Sequence, residues 1–134
     1  MSRIATATLL TLLACFCLNA ESVVLQANVP FEFRMGEVHL PAGVYVVFED
    51  RGLVRIRNRA GAPSAIYLTT PTERKIQRTE GILEFNRYNG ENFLTKLWVP
   101  ESTKGLILPM GKREKELISR SAAVQVAAVR IQRK

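Results

Sequence analysis

Gly52, Gly61 and Gly90 each close a short polar connection between segments in which apolar and polar residues alternate. Alternation punctuated by glycine is the mark of antiparallel hairpins. A one-residue change of register moves every side chain of a strand to the other face, so rival pairings can be ranked. For Val44–Glu49 against Leu53–Asn58, a three-residue loop Asp50-Arg51-Gly52 sets Phe48 opposite Val54 and Val46 opposite Ile56. A two-residue loop sets Phe48 opposite Arg55 instead. Matching apolar with apolar favours the three-residue loop, with Gly52 at its left-handed position. The same criterion selects Arg59-Ala60-Gly61, with Ile56 opposite Ser64 and Val54 opposite Ile66. It also selects Tyr88-Asn89-Gly90, with Phe85 opposite Phe93, over a plain Asn89-Gly90 turn.

Upstream, Val23 to Arg34 alternates throughout, and Pro30 marks an edge or a bulge. A loop at Met35-Gly36 sets Phe33 opposite Val38, Phe31 opposite Leu40 and His39 opposite Glu32. Pro71 to Glu80 is polar and aperiodic and reads as a surface loop, as does Pro100 to Gly105. Lys112 to Ser119 reads as a short helix after Pro109. Residues 121–134 are compatible with strand or helix, with a last strand around Val126 to Ile131 preferred. The fold class predicted is all-β. An antiparallel meander of about eight strands forms a small sandwich or partly closed barrel, with a short C-terminal helix and a basic tail. Its predicted core is Leu25, Val29, Phe31, Phe33, Leu40, Val44, Val46, Phe48, Val54, Ile56, Ile66, Leu68, Leu83, Phe85, Phe93 and Leu97.

The first 20 residues have the pattern of a secretory signal: Arg3, an apolar run from Ile4 to Leu18, then Asn19-Ala20 before Glu21. Cleavage after Ala20 is expected and leaves no membrane span, and the apolar run itself is shorter than the roughly 20 residues a membrane-spanning helix needs, which argues against an uncleaved anchor. Leu12-Leu13-Ala14-Cys15 offers a second reading, a lipid anchor at Cys15. Both cysteines lie in this segment. A chain cut after Ala20 therefore has no disulfide, thiol nucleophile or thiolate metal site. The expected organisation is a signal at 1–20, a β domain at 21–109, and a helix plus basic segment at 110–134. The destination is the periplasm or the exterior.

The formal net charge is +7, and its excess is concentrated late. Between Lys112 and Lys134 stand Lys112, Arg113, Lys115, Arg120, Arg130, Arg133 and Lys134 against Glu114 and Glu116. Such a segment suits contact with an anionic surface or simple solvation. No nucleic-acid recognition motif accompanies it.

Little in the chain points to chemistry. His39 is the only histidine, and no serine occupies a nucleophile turn of the Gly-x-Ser-x-Gly type. Opposite Glu32, His39 reads as an exposed cross-strand pair. One histidine without thiolates does not make a zinc site. The adjacent Glu49-Asp50 falls at a hairpin, where aspartate is ordinary. No metal or cofactor is expected. The best candidate binding face is the outer side of the central hairpin. In the favoured register Tyr45, Val47 and Leu53 lie there with Arg55 and Arg57, and Trp98 extends the set.

Four segments carry a resemblance: Asn28-Val29-Pro30-Phe31-Glu32-Phe33, Leu40-Pro41-Ala42-Gly43-Val44-Tyr45, Phe85-Asn86-Arg87-Tyr88, and Phe93-Leu94 with Trp98. In this order they resemble a family of small exported bacterial β proteins of uncharacterised function. The resemblance implies an exported β domain and supplies no catalytic residue. The expected function is therefore non-enzymatic: binding or scaffolding at the cell envelope, with an unspecified partner. A small barrel carrying an apolar ligand and a hydrolase with a carboxylate site are the alternatives.

Overall fold

The computed structural model describes residues 23–61, 64–120 and 123–133. The signal at 1–20, the cleavage position Ala20 and the anchor position Cys15 lie outside the described residues. The strands are β1 (Val23–Val29), β2 (Phe33–Met35), β3 (Val38–Leu40), β4 (Gly43–Asp50), β5 (Leu53–Asn58) and β6 (Ser64–Leu68). They continue as β7 (Thr70–Arg78), β8 (Gly81–Tyr88), β9 (Glu91–Trp98) and β10 (Ser102–Ile107), then helix α1 (Lys112–Ser119) and β11 (Val124–Arg133).

These strands form a single sheet with the order β3-β2-β9-β8-β11-β1-β4-β5-β6. The sheet curls until its two ends almost meet. At that seam the Glu37 N–H donates to the Tyr67 hydroxyl at 2.9 Å. The result is an all-β, nearly closed barrel. β10 pairs with the far half of β9 and with β7, so β7 and β10 form a ribbon beside the main sheet. The C-terminal segment is a sheet strand and not a tail, because β11 lies between β1 and β8 and pairs with both.

The interior is filled. Leu25, Val29, Phe33, Met35, Leu40, Tyr45, Ile56, Leu83 and Phe85 are fully buried. Phe33 meets Tyr45 edge-on at 5.2 Å between ring centroids, and Phe85 packs edge-on against Phe31 and Phe33. Edge-to-face packing of this kind adds to the burial energy of the rings.

The three registers ranked from the sequence, and that of the Met35-Gly36 hairpin, are corrected. β4 and β5 are joined by a two-residue loop, with Asp50 opposite Leu53, Val47 opposite Ile56 and Phe48 opposite Arg55. Arg51 and Gly52 both have positive φ, 51° and 84°. That is the geometry of a type I′ turn, whose twist matches that of the strands it joins. The β8–β9 turn at Asn89 and Gly90 repeats it, with φ of 49° and 81°. There Phe93 faces Asn86, and a bulge between Glu84 and Phe85 restores Leu83 opposite Leu97. Between β5 and β6, Ile56 faces Ala65 and Val54 faces Tyr67. Gly61, at φ 130°, donates its N–H to the Asn58 carbonyl at 3.1 Å within this connection. The first hairpin turns at Gly36-Glu37, which puts Met35 in the core and Phe33 opposite Leu40.

The one-residue shift has the expected consequence for the faces. Tyr45 and Val47 point inward, whereas Phe48 points outward. Ile66 and Leu68, predicted as core, are 53% and 71% exposed, and Ala65 is buried in their place. The predicted loop at 71–80 is also corrected, since it contains β7, and Ser102 to Gly105 belong to β10. β7 carries almost no apolar pattern because nearly all of it is solvated.

Helix α1 lies where the sequence predicts it. Its N-terminal Lys112 N–H donates to Glu37 Oε1 at 2.8 Å. Leu117 packs with Tyr88 and Phe93 in a second small core on the outer side of the β8–β9 hairpin.

Candidate functional site

The register decides which concave surface is available. Residues 82, 84, 96 and 98 share the outer face of β8 and β9, and residues 124, 126, 128 and 130 share that of β11. At one end this face is covered by α1. At the other, β10 continues the sheet beyond β9 and β7, paired to β10, borders the face, leaving a groove of about 390 Å³. Ile82, Trp98, Val126 and Ala128 line it from the sheet side, and Lys75, Ile76 and Arg78 from β7.

The β7 side of the groove is anchored through Arg74. Its guanidinium sits 5.4 Å from the centroid of the Trp98 ring and donates to the Ser102 carbonyl at 3.0 and 3.2 Å. Trp98 Nε1 donates to Glu84 Oε2 at 3.1 Å, which fixes the indole edge. Gly105 makes the arrangement sterically feasible, because a Cβ there would lie 2.5 Å from the Trp98 ring carbons. The apolar surface left uncovered is substantial: Ile76 is 68% and Val126 65% exposed. Lys75 and Arg78 make no ion pair among the described residues.

A second apolar surface lies on the far side of the barrel, where Phe48, Leu53, Arg55 and Ile66 border a space of about 310 Å³. Arg55 and Arg57 both approach the Phe48 ring there, at 4.7 and 5.9 Å. The six residues proposed from sequence therefore separate into three places. Leu53, Arg55 and Arg57 share this outer surface. Tyr45 and Val47 are interior, the Tyr45 hydroxyl donating to the Pro41 carbonyl. Trp98 belongs to the groove under Arg74. The β7 residues of the groove are absent from the sequence-based set because Pro71 to Glu80 has no apolar period and reads as a loop. The single apolar Ile76 among charged neighbours is a weak signal for them.

The histidine and the buried acids have structural partners. His39 Nε2 is 3.6 Å from Glu32 Oε2, both exposed, although its ladder partner is Arg34. Glu49 is buried and accepts from Lys104 Nζ at 2.9 Å and from the Gly52 N–H at 3.2 Å. Glu114 is buried beneath α1, where it accepts from the Tyr88 hydroxyl at 3.4 Å. Burial pushes its pKa above the ordinary glutamate value. Next to it, a hydrogen bond from Arg113 lowers the Glu91 pKa. No group of three or more histidine, cysteine, aspartate or glutamate side chains stands ready for a metal among the described residues. Nor does any described helix have the length and apolarity to cross a membrane.

The basic residues after Lys112 are distributed rather than massed. Arg113 and Arg120 bind Glu91 and Glu116, and Arg130 lies 3.5 Å from Glu80. No family model, curated protein or solved structure matches the chain.

Proposed function

We propose that this chain is an exported, non-enzymatic β module of the cell envelope that binds a partner in the groove between the β7–β10 ribbon and the outer face of β8, β9 and β11. The observation that carries the reading is the groove itself. It is an open surface under Arg74 with an uncovered apolar floor, and Lys75 and Arg78 in its lining have no ion-pair partner among the described residues. Contiguous exposed apolar surface rimmed by polar groups is what a binding site requires. The apolar leader at 1–20 supports export, and the motif resemblance supports the same destination.

A non-catalytic role is supported by how the acids and the histidine are engaged. The buried Glu49 and Glu114 are bound to groups that hold the fold together, and His39 is on an exposed pair. The packed interior favours an external site over a cargo cavity. An anionic-surface contact through Lys112–Lys134 is the weaker version, because three of its arginines already have carboxylate partners.

The test is site-specific crosslinking in intact cells. A photoreactive benzoyl-phenylalanine replaces Ile76 in one version of the full chain and Asn89, at a hairpin tip, in another. Adducts in the envelope fraction from position 76 and not from position 89 are expected. Absence of adducts at position 76, or a cytoplasmic location of the protein, would overturn the reading.

A further inference from the structure

The groove reading, on which this step rests, leaves the chemistry of the occupant open. We infer that the occupant is an anionic amphiphile with a single acyl chain, the chain lying over Ile82, Trp98, Val126 and Ala128 and the acidic head between Lys75 and Arg78.

Charge complementarity gives the sign. Carboxylates hold Lys104, Arg113, Arg120 and Arg130, while other surface cations such as Arg55, Lys96 and Lys115 have no such partner among the described residues, so what distinguishes Lys75 and Arg78 is their place in the lining of this groove. Lys75 and Arg78 likewise have no carboxylate partner among the described residues. Arg74 does not compete for the head, because its guanidinium already serves the Ser102 and Val99 carbonyls and the Trp98 ring. Glu84 is the one acid in the lining, and its carboxylate is turned to the indole N–H. Arg74 stands over the indole and Lys96 opposite Glu84, so charge at that end is balanced. Lys75 and Arg78 are the lining cations whose side chains make no hydrogen bond or ion pair among the described residues, which places the head towards them and the tail towards Trp98.

The floor gives the tail. Ile82, Val126 and Ala128 present carbon, and the two polar groups beside them, the Trp98 indole N–H and the Glu84 carboxylate, are bonded to each other. A peptide laid on such a floor would leave its own N–H and C=O groups without partners, at a cost of roughly 1–3 kcal/mol for each one left dry. A hydrocarbon chain requires no partners. The volume of about 390 Å³ is that of a small-molecule site. The site is also concave. Ile82 and Trp98 are half-buried between ribbon and sheet, where a flat bilayer surface does not reach them.

Trp98 is the only tryptophan in the chain and lies in the groove wall, so it reports occupancy directly. The full chain is titrated, below the micellar concentration, with ω-bromododecanoate, whose bromine quenches an indole on contact. Dodecyl maltoside and acetate serve as tail-only and head-only probes. Saturable quenching by the bromo acid is expected. Unbrominated dodecanoate displaces it, and the tail-only and head-only probes compete at least tenfold less well. The double variant Lys75→Glu/Arg78→Glu, altered only at exposed positions, is expected to bind at least tenfold more weakly, and Val126→Glu likewise. The proposal is overturned if the bromo acid does not quench, if dodecyl maltoside competes equally, or if the variants bind unchanged. It is also overturned, in favour of a membrane surface, if anionic phospholipid vesicles shift Trp98 emission while monomeric dodecanoate does not. Adducts at position 76 in cells, combined with failure of dodecanoate, would remove the amphiphile and leave the groove as the binding surface.

Discussion

Val47 and Phe48 are neighbours in β4 whose roles depend on a one-residue register, and truncating each to alanine separates the two pairings. In the observed register Val47 is 1% exposed and faces Ile56 in the core. Val47→Ala removes two buried methyl groups, about 1.6 kcal/mol at ~0.8 kcal/mol each. The unfilled cavity raises the cost to about 2–3 kcal/mol. Phe48 lies on the outer face, half-covered by Arg55 with its guanidinium 4.7 Å from the ring centroid. Phe48→Ala loses that contact, about 0.5–1 kcal/mol, and some apolar cover. A total of about 1–1.5 kcal/mol is expected. With a three-residue loop the order reverses: about 3–5 kcal/mol for an interior phenylalanine and under about 0.5 kcal/mol for a surface valine. Urea unfolding followed by far-ultraviolet circular dichroism and by Trp98 emission gives both values. A larger loss for Phe48→Ala, with Val47→Ala nearly silent, would refute the register.

Three further outcomes follow from named contacts. Glu114 binds its proton more tightly in the folded chain, because burial raises its pKa above 4.5. Stability is therefore lost as pH rises from 4.5 through the raised value, while the lowered pKa of Glu91 takes stability away as pH falls below 4.5. Glu114→Gln is expected to abolish the loss on the alkaline side, and thermal melts at pH 4.5 and pH 8 that differ equally in variant and wild type would contradict this. Gly105→Ala places a Cβ against the Trp98 ring and is expected to cost about 1–3 kcal/mol and to change Trp98 emission; an unaltered spectrum would count against the packing. Lys104→Met leaves buried Glu49 with the Gly52 N–H alone among the described residues. About 1–3 kcal/mol should be lost, and a double-mutant cycle with Glu49→Gln should show coupling; additivity would mean that the pair is not formed.

Much of the strand content was legible, because Val54, Ile56, Leu83 and Phe85 alternate with polar residues and face the core. Register was not, and the reason lies in β4. Val44 to Phe48 is apolar without interruption. Its outer face is partly covered too, with Val46 buried between Gln26 and Arg57 on the flanking strands. The one acid that would mark a solvated face, Glu49, points inward to Lys104. Apolar matching therefore selected the wrong face, while the turn chemistry of Arg51-Gly52 and Asn89-Gly90 indicated the right one. The groove was half-legible for a similar reason. Trp98 stood out, but β7 has too little buried surface to leave an apolar period in the sequence. Its position is fixed by long-range hydrogen bonds to β10 and by Arg74, which no local pattern encodes.

The most direct test of the account is where an acyl chain contacts the molecule, outside or inside. Protein with isotope-labelled Ile, Leu and Val methyl groups is titrated with dodecanoate, and methyl chemical-shift changes are mapped by NMR. Changes are expected at Ile76, Ile82 and Val126, together with the Trp98 indole N–H, and none at Val47, Ile56 and Leu83 in the core. Changes confined to the core methyls would contradict that expectation and make the barrel interior the binding site.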